Sequence, residues 1–172
     1  GNKLEVSFDW YTRETTDMLF PVEVQLTHGI AINPFQNIGT MSNKGIDLAM
    51  NYNSTAMKGA LTFNIGVNFS TYRNNVIRTD GNPNTRYFGF SQRISSMAVT
   101  QQGYPLSSFF GYTIDGIFDT DEEGLAHPAQ FGGGANNKAG QFIFPDIDKN
   151  GVINGNDQSI IGSPHPDFTY GV

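Results

Sequence analysis

Residues 46–70 read I-D-L-A-M-N-Y-N-S-T-A-M-K-G-A-L-T-F-N-I-G-V-N-F-S, and their alternation decides the fold. Ile46, Leu48, Met50 and Tyr52 fall on one side of an extended chain. Leu61, Phe63, Ile65, Val67 and Phe69 do the same after an interruption at 53–59. A side-chain period of two marks a β-strand with one apolar face, whereas a helix needs a period of about 3.6. Two such runs on so short a link predict an antiparallel β-hairpin.

The same alternation precedes the hairpin. Leu4, Val6, Phe8 and Trp10 face one way, against Lys3, Glu5, Ser7 and Asp9. Tyr11 and the polar run 12–17 extend this strand as far as Met18-Leu19-Phe20. Pro21 interrupts it; Val22, Val24 and Leu26 predict a short second piece, and His28-Gly29 and Asn33-Pro34 predict turns. Residues 37–45 form a polar, glycine-punctuated approach to the hairpin. Beyond it, 73–102 is polar and irregular, with a short strand or helix within 94–100. Residues 103–118 are aromatic, glycine-rich and extended. Asp119 to Glu123 is an acidic patch, expected to be a solvated turn, and Gly132-Gly133-Gly134 with Asn136-Asn137 predicts a flexible loop. Residues 163–167 (S-P-H-P-D) make a rigid turn into a last strand at Phe168.

Composition supports an all-β protein. Charged residues are 15% of the chain, against roughly 25% in an average soluble domain, while aromatics reach 13% and glycine is plentiful. The net charge of −6, with the basic residues scattered singly, offers no stripe to neutralise nucleic-acid phosphates. Cysteine is absent, which excludes a disulfide framework and thiolate metal sites. No run approaches the ~18 apolar residues of a membrane helix. The chain opens at Gly1-Asn2 directly into a strand pattern and stops at Tyr170-Gly171-Val172 inside another, so we expect a piece of a longer protein.

The second face of the strands carries Thr, Asn, Gly, Ser and Asp, with few of the Lys/Glu pairs that usually solvate a sheet. Aromatics gather near the strand ends at Trp10, Tyr11, Tyr52 and Tyr72. Strands of about ten residues, apolar on one face and small and polar on the other, suit an outer-membrane β-barrel. A soluble β-sandwich alternates in the same way, and the pattern alone leaves both open.

Residues 146–157, D-I-D-K-N-G-V-I-N-G-N-D, carry a different signal. Counted from Asp146, side-chain oxygens fall at positions 1, 3, 5, 9 and 12 (Asp146, Asp148, Asn150, Asn154, Asp157), with Gly151 at position 6. The Val152 carbonyl occupies position 7. This is the spacing of an EF-hand-type calcium loop, whose hard ion is surrounded by oxygens and whose glycine makes the sharp turn. Ile153 is the apolar residue expected to pin the loop. An Asp/Asn/Gly-rich turn that binds nothing has the same composition. The flanking segments look extended, so this is an EF-type loop without the EF-hand helices, and a structural Ca²⁺ is the expected role.

Taken in order, several segments resemble the C-terminal part of SusC/RagA-type TonB-dependent outer-membrane transporters. They are W-Y-T-R-E-T-T-D-M-L (10–19), N-I-G-T-M-S-N-K-G-I-D-L (37–48) and N-F-S-T-Y-R-N-N-V-I (68–77). G-Y-P-L-S-S-F-F-G-Y-T-I-D-G-I-F (103–118), the loop 146–157 and I-I-G-S-P-H-P-D-F-T-Y-G (160–171) continue the series. The resemblance implies a barrel of about 22 antiparallel strands, an N-terminal plug that contacts TonB, and a SusD-like surface lipoprotein as lid. On this chain it implies barrel strands over 1–80 with a periplasmic turn at 53–59. An extracellular excursion follows over 81–166, and a returning strand begins at 167–172. The loop departs from the family pattern at Asn150 and Asn154, commonly Asp, and ends in Asp157 in place of the longer Glu, which predicts weaker calcium binding.

No nucleophile elbow and no H-E-x-x-H occurs, and His28, His127 and His165 stand in turn-like contexts, expected to be solvated loop residues. The paired carboxylates at Glu122-Glu123 fit a solvated turn better than an acid–base pair. Tyr104, Phe109, Phe110 and Tyr112 are candidate contacts for a ligand or partner, by stacking on sugar rings or packing at a rim. The expected function is a non-enzymatic part of a nutrient importer for glycans or oligopeptides. The alternative is a secreted carbohydrate-binding β-sandwich with a structural calcium. Cut strand edges tend to pair with other chains, so the isolated segment should self-associate.

Overall fold

The computed structural model describes residues 3–22, 34–88, 97–133 and 136–172. The expected strand piece at Val24 and Leu26, the turns at His28-Gly29 and Asn33, and positions 94–96 and 134 lie outside them. The chain divides into two compact units: residues 1–87, 100–106 and 163–172 form one, and 88–99 with 107–162 form the other.

The first unit is built on β1 (Leu4–Pro21), β2 (Phe35–Ala56), β3 (Leu61–Arg78) and β12 (Thr169–Gly171), hydrogen-bonded antiparallel in the order β1-β2-β3-β12. Register places Val6 against Met50 and Met50 against Val67. It likewise places Phe8 against Leu48, Leu48 against Phe69, and Phe69 against Tyr170. One face therefore presents Leu4, Val6, Phe8, Trp10, Ile46, Met50, Tyr52, Leu61, Ile65, Val67 and Phe69, every one of them exposed. Trp10 is 69% exposed and Phe8 62%. A sandwich would bury these residues under a second sheet, so the sandwich alternative is not favoured.

The hairpin is longer and its turn tighter than the 53–59 expected. Pairing continues to Ala56↔Leu61, and only a 3₁₀ turn at Met57–Gly59 remains, with Met57 and Gly59 both at positive φ. The strands also run past their apolar portions. Residues 37–45 belong to β2, and 73–78 to β3. Their outward side chains, Ser42, Lys44, Arg73 and Asn75, are as polar as the inward ones, which erases the alternation that would have revealed them. Tyr11 and Tyr72 depart from the expected aromatic rim. Both pair with Gly45, on the face opposite Trp10, and a Cβ on Gly45 would overlap the Tyr11 ring. An aromatic laid over a strand glycine replaces the missing side-chain packing.

Near its far end β1 carries a bulge between Thr15 and Met18, with Asp17 at φ 59°. Beyond it Phe20 is buried, lies over Gly39 and packs at 4.8 Å against Tyr87. The edge of β3 left free by the short β12 is closed by residues 101–106. Val76 and Gly103–Tyr104 exchange backbone hydrogen bonds of 3.0 and 2.8 Å, and the buried Asn74 accepts the Leu106 amide at 2.7 Å.

The second unit is assembled from short strands: β5 (Ala98–Thr100), β6 (Ser108–Gly111), β7 (Gly116–Ile117), β8 (Ala129–Gln130), β9 (Phe142–Ile143), β10 (Val152–Ile153) and β11 (Ser159–Gly162). Together with β4 (Tyr87–Phe88), β11, β6 and β5 make a sheet in the order β11-β6-β5-β4; β10 pairs with β8, and β7 with β9. The acidic patch forms a short helix, α1 (Asp121–Ala126), where a solvated turn was expected. The Thr120 hydroxyl caps it by accepting the Glu123 amide, and its first turn is all acidic, as a helix N-terminus favours. Polar side chains hold much of this unit. The Gln130 side chain, 1% exposed, donates to the carbonyls of Asn136 and Phe142 and accepts the Phe144 amide. Buried Asn137 donates to the carbonyls of Gly124 and Pro128 at 3.0 and 2.9 Å, so this position is a structural hub within the segment expected to be a flexible loop.

Candidate functional site

The loop 146–157 is positioned from below by Ile153, fully buried on β10, whose carbonyl accepts the Phe131 amide at 2.9 Å. Its course is set by two left-handed residues, Lys149 at φ 59° and Gly151 at φ 83°. The second is a conformation glycine adopts without cost. Between these points the side chains fold back onto the loop's own backbone. Asp146 accepts the amides of Asn150 and Gly151 at 3.1 and 2.7 Å, and Asp148 accepts the Asn150 amide at 3.0 Å. Asn150 Oδ1 accepts the Val152 amide, and Asn154 Oδ1 accepts the Asn156 amide, both at 2.8 Å.

Asp157 closes the ring. Residues 155–157 make a 3₁₀ turn capped by Asn154, and Asp157 Oδ2 returns the contact by accepting the Asn154 amide at 2.8 Å. Its Oδ1 accepts the amides of Ile147 and Asp148 at 2.9 and 3.4 Å. The Asn154 amide, more than any other group, holds this carboxyl below the usual carboxylate range. Burial opposes the shift, and the Asp148 and Ile147 amides add to it. Beside it, burial and the negative charge of Asp157 raise the Tyr112 phenol above its ordinary value.

The outcome is a cluster in which one carboxylate oxygen each of Asp146, Asp148 and Asp157 lie within 4.8 Å of one another, close enough to hold one cation. Asp157 is buried, Asp146 half-buried and Asp148 exposed. Among the described residues none of the three is ion-paired with a basic side chain. An all-oxygen donor set around an uncompensated concentration of negative charge fits a hard cation such as Ca²⁺ and does not fit softer metals. The Asn150 and Asn154 side chains and the Val152 carbonyl are engaged in local hydrogen bonds, the carbonyl accepting Asn154 Nδ2 at 3.3 Å.

The aromatic candidates separate into two kinds. Tyr104 and Phe109 are exposed, at 44% and 47%. Phe110 is buried edge-on to Phe88, and Tyr112 packs edge-on to Phe131 and Phe144 at 5.1 and 5.6 Å. Phe110 and Tyr112 are therefore occupied in packing. His127 and His165, expected to be solvated, are both half-buried. His127 lies edge-on to Phe118, and His165 Nδ1 meets the Tyr72 hydroxyl at 3.1 Å. Position 28 lies outside the described residues. Glu123 accepts the Asp119 amide and Asp121 the Ala139 amide, so these carboxylates serve local structure.

No family model matches the chain. It is 34% identical over 176 residues to TonB-dependent receptor P3 of Formosa agariphila, covering 99% of the chain and 17% of that protein. It is 23% identical over 181 residues to TonB-dependent receptor SusC of Bacteroides thetaiotaomicron, covering all of the chain and 16% of SusC. A solved structure of the RagAB peptide transporter superposes with a TM-score of 0.66 at 21% identity, over 98% of the chain and 16% of its counterpart. The chain thus spans about a sixth of the length of the relatives it matches.

Proposed function

We propose that the chain is a barrel segment of an outer-membrane TonB-dependent receptor of the SusC/RagA type and that it supplies wall and outer loops to a nutrient importer. The observation that carries this reading is the single-layer sheet whose apolar face is bare. Ten residues separate Ile46 from Ala56 along β2. At ~3.3 Å per residue and a tilt of ~40° they span ~25 Å of membrane normal, the height of the apolar band of an outer-membrane barrel. Short turns face the periplasm and long loops the exterior, so the Met57–Gly59 turn is periplasmic and the 79–168 excursion extracellular.

In this reading the cargo is a glycan or an oligopeptide, taken up through a lumen lined by the Thr, Asn, Ser and Asp face. A SusD-like surface lipoprotein covers the outer mouth, where Tyr104 and Phe109 are available for contact, and TonB engages a region outside this segment. The chain carries no catalytic role. The loop 146–157 holds Ca²⁺ through Asp146, Asp148, Asn150, Asn154, Asp157 and the Val152 carbonyl, and the ion supplies positive charge that fixes the extracellular unit.

The test is uptake by cells with and without the gene for the full-length receptor, using fluorescent oligosaccharide and oligopeptide panels. Uptake of at least one panel should require both the receptor and TonB. Identical uptake in the deletion strain across both panels would refute the importer role.

A further inference from the structure

The outward face of the sheet does not end where its apolar band ends. One outward position above Trp10, Ile46 and Thr71 runs the row Thr12, Lys44, Arg73, in which Lys44 is the direct cross-strand partner of both others. At ~3.3 Å per residue and a ~40° tilt this row stands ~5 Å above the band, on its extracellular side. That is the level of lipid headgroups.

Two cations placed directly opposite each other on adjacent strands repel and are ordinarily destabilising. Both side chains are exposed, and neither makes an ion pair or side-chain hydrogen bond with any described residue. Glu14, an acid on the same face, sits one outward position higher, opposite Ser42, and is not paired with Lys44; Asp167 lines a further hollow with Arg73 and is not ion-paired with it. Two hollows meet at this pair. One, of about 190 Å³, lies between Lys44 and Arg73 above and Trp10, Ile46 and Thr71 below. The other, of about 310 Å³, extends upward along Ser42, Asn75 and Ile77. Among the described residues the pair is thus a double positive charge without an acidic partner, directly above an apolar shelf that includes an indole ring.

We propose that Lys44 and Arg73 bind the phosphate of an outer-leaflet lipid whose apolar portion lies against Trp10 and Ile46. The guanidinium offers a planar fork that matches phosphate oxygens two at a time, and the ammonium adds a point charge beside it. The occupant is a phosphate-bearing lipid because the cations continue the membrane-facing surface. A free anion would gain nothing from the shelf. The inference uses the outer-membrane placement of the barrel and is independent of what the receptor transports.

The test is native mass spectrometry of the full-length receptor in detergent, titrated with monophosphoryl lipid A and with the same lipid lacking its phosphate. The phosphorylated lipid should bind about thirtyfold more tightly, from roughly a factor of five for each cation. K44Q/R73Q should remove that preference, while K44R/R73K retains most of it. Inorganic phosphate at millimolar concentration should leave the lipid bound. Equal binding of the two lipids to the wild-type receptor would overturn the proposal, and that comparison decides even if the double variant fails to fold, as judged by heat-modifiable gel mobility. Displacement by inorganic phosphate would overturn it in favour of a free-anion site, and an unchanged preference in K44Q/R73Q would place the site elsewhere.

Discussion

Asn154 and Asp157 cap each other: the Asn154 side chain receives an amide of the 3₁₀ turn, and the Asp157 carboxylate receives the Asn154 amide at 2.8 Å. The last carboxylate of the proposed calcium loop is thus held in place by the loop's own backbone. Pre-organisation of this kind lowers the ordering cost of binding.

Calcium bound at the proposed site should therefore stabilise the unit formed by residues 88–99 and 107–162. Limited proteolysis between residues 146 and 157 should slow when millimolar Ca²⁺ is added and return to its basal rate with a chelator. Asp146→Ala should abolish the response. A parent protein that is indifferent to Ca²⁺ would leave only a self-bonded polar turn. Asn150→Asp adds a carboxylate at position 5 and should strengthen the response, because affinity in such loops follows the number of charged ligands.

Acid should open the same loop from the other direction. Asp157 has its carboxyl held below the ordinary value of 3.8 by the Asn154 amide above all. A depressed folded-state pKa contributes stability that is fully present above the unfolded value and is lost as pH falls through the folded one. Protease protection of 146–157 without calcium should therefore be constant above about pH 5 and decline below about pH 4. Asp157→Asn should flatten that decline; an unchanged acid profile in the variant would assign the effect to other carboxylates.

Gly124→Ala tests the polar hub. A Cβ on Gly124 would overlap the Asn137 carbonyl, in a helix where alanine is otherwise the better residue. Propensity alone predicts a gain of up to ~1 kcal/mol, whereas the overlap predicts a loss of about 1–3 kcal/mol. Overlap with backbone should win, because backbone cannot rotate away. Faster proteolysis within 119–140 is the expected result; slower proteolysis would mean the contact relaxes.

Separated from the rest of the barrel, residues 1–172 should self-associate in aqueous buffer. The outer edges of β1 and β12 have no strand partner within the four-stranded sheet, and the apolar face is open to water. Light scattering should show dimers or larger species that detergent disperses. A monodisperse monomer without detergent would contradict this.

How far the sequence announced this structure depended on where each residue sits relative to the apolar band. Within the band, Ile46 to Tyr52 and Leu61 to Phe69 alternate apolar with small or polar residues, so register and hairpin were legible. Above it, residues 37–45 and 73–78 carry polar side chains on both faces, and their strands left no period to read. Tyr11 and Tyr72 look like rim aromatics, but their odd-even position relative to Trp10 turns them to the polar face. The loop 146–157 was legible because its candidate ligands are local in sequence. Asn137 and Gln130 were not, since their partners at Gly124, Pro128, Phe142 and Phe144 are defined only by the fold. The α1 cap at Thr120, followed three residues later by Glu123, is a helix-start signal present in the sequence but masked by the neighbouring acids.

The central claim is that the sheet has a lipid face and a lumen face, and adjacent residues of β2 separate them. Met50 lies mid-band between Val6 and Val67, and Ala49 lies on the opposite face between Ser7 and Asn68, with Asp9 and Asp47 bordering the same hollow. The decisive measurement is the folding free energy of the full-length barrel in lipid vesicles for Met50→Arg and Ala49→Arg. Met50→Arg should cost about 2–4 kcal/mol, the penalty for arginine at the bilayer midplane, and Ala49→Arg should stay within about 0.5 kcal/mol of wild type. Equal costs, or a larger one at position 49, would contradict the assignment of faces and with it the barrel wall.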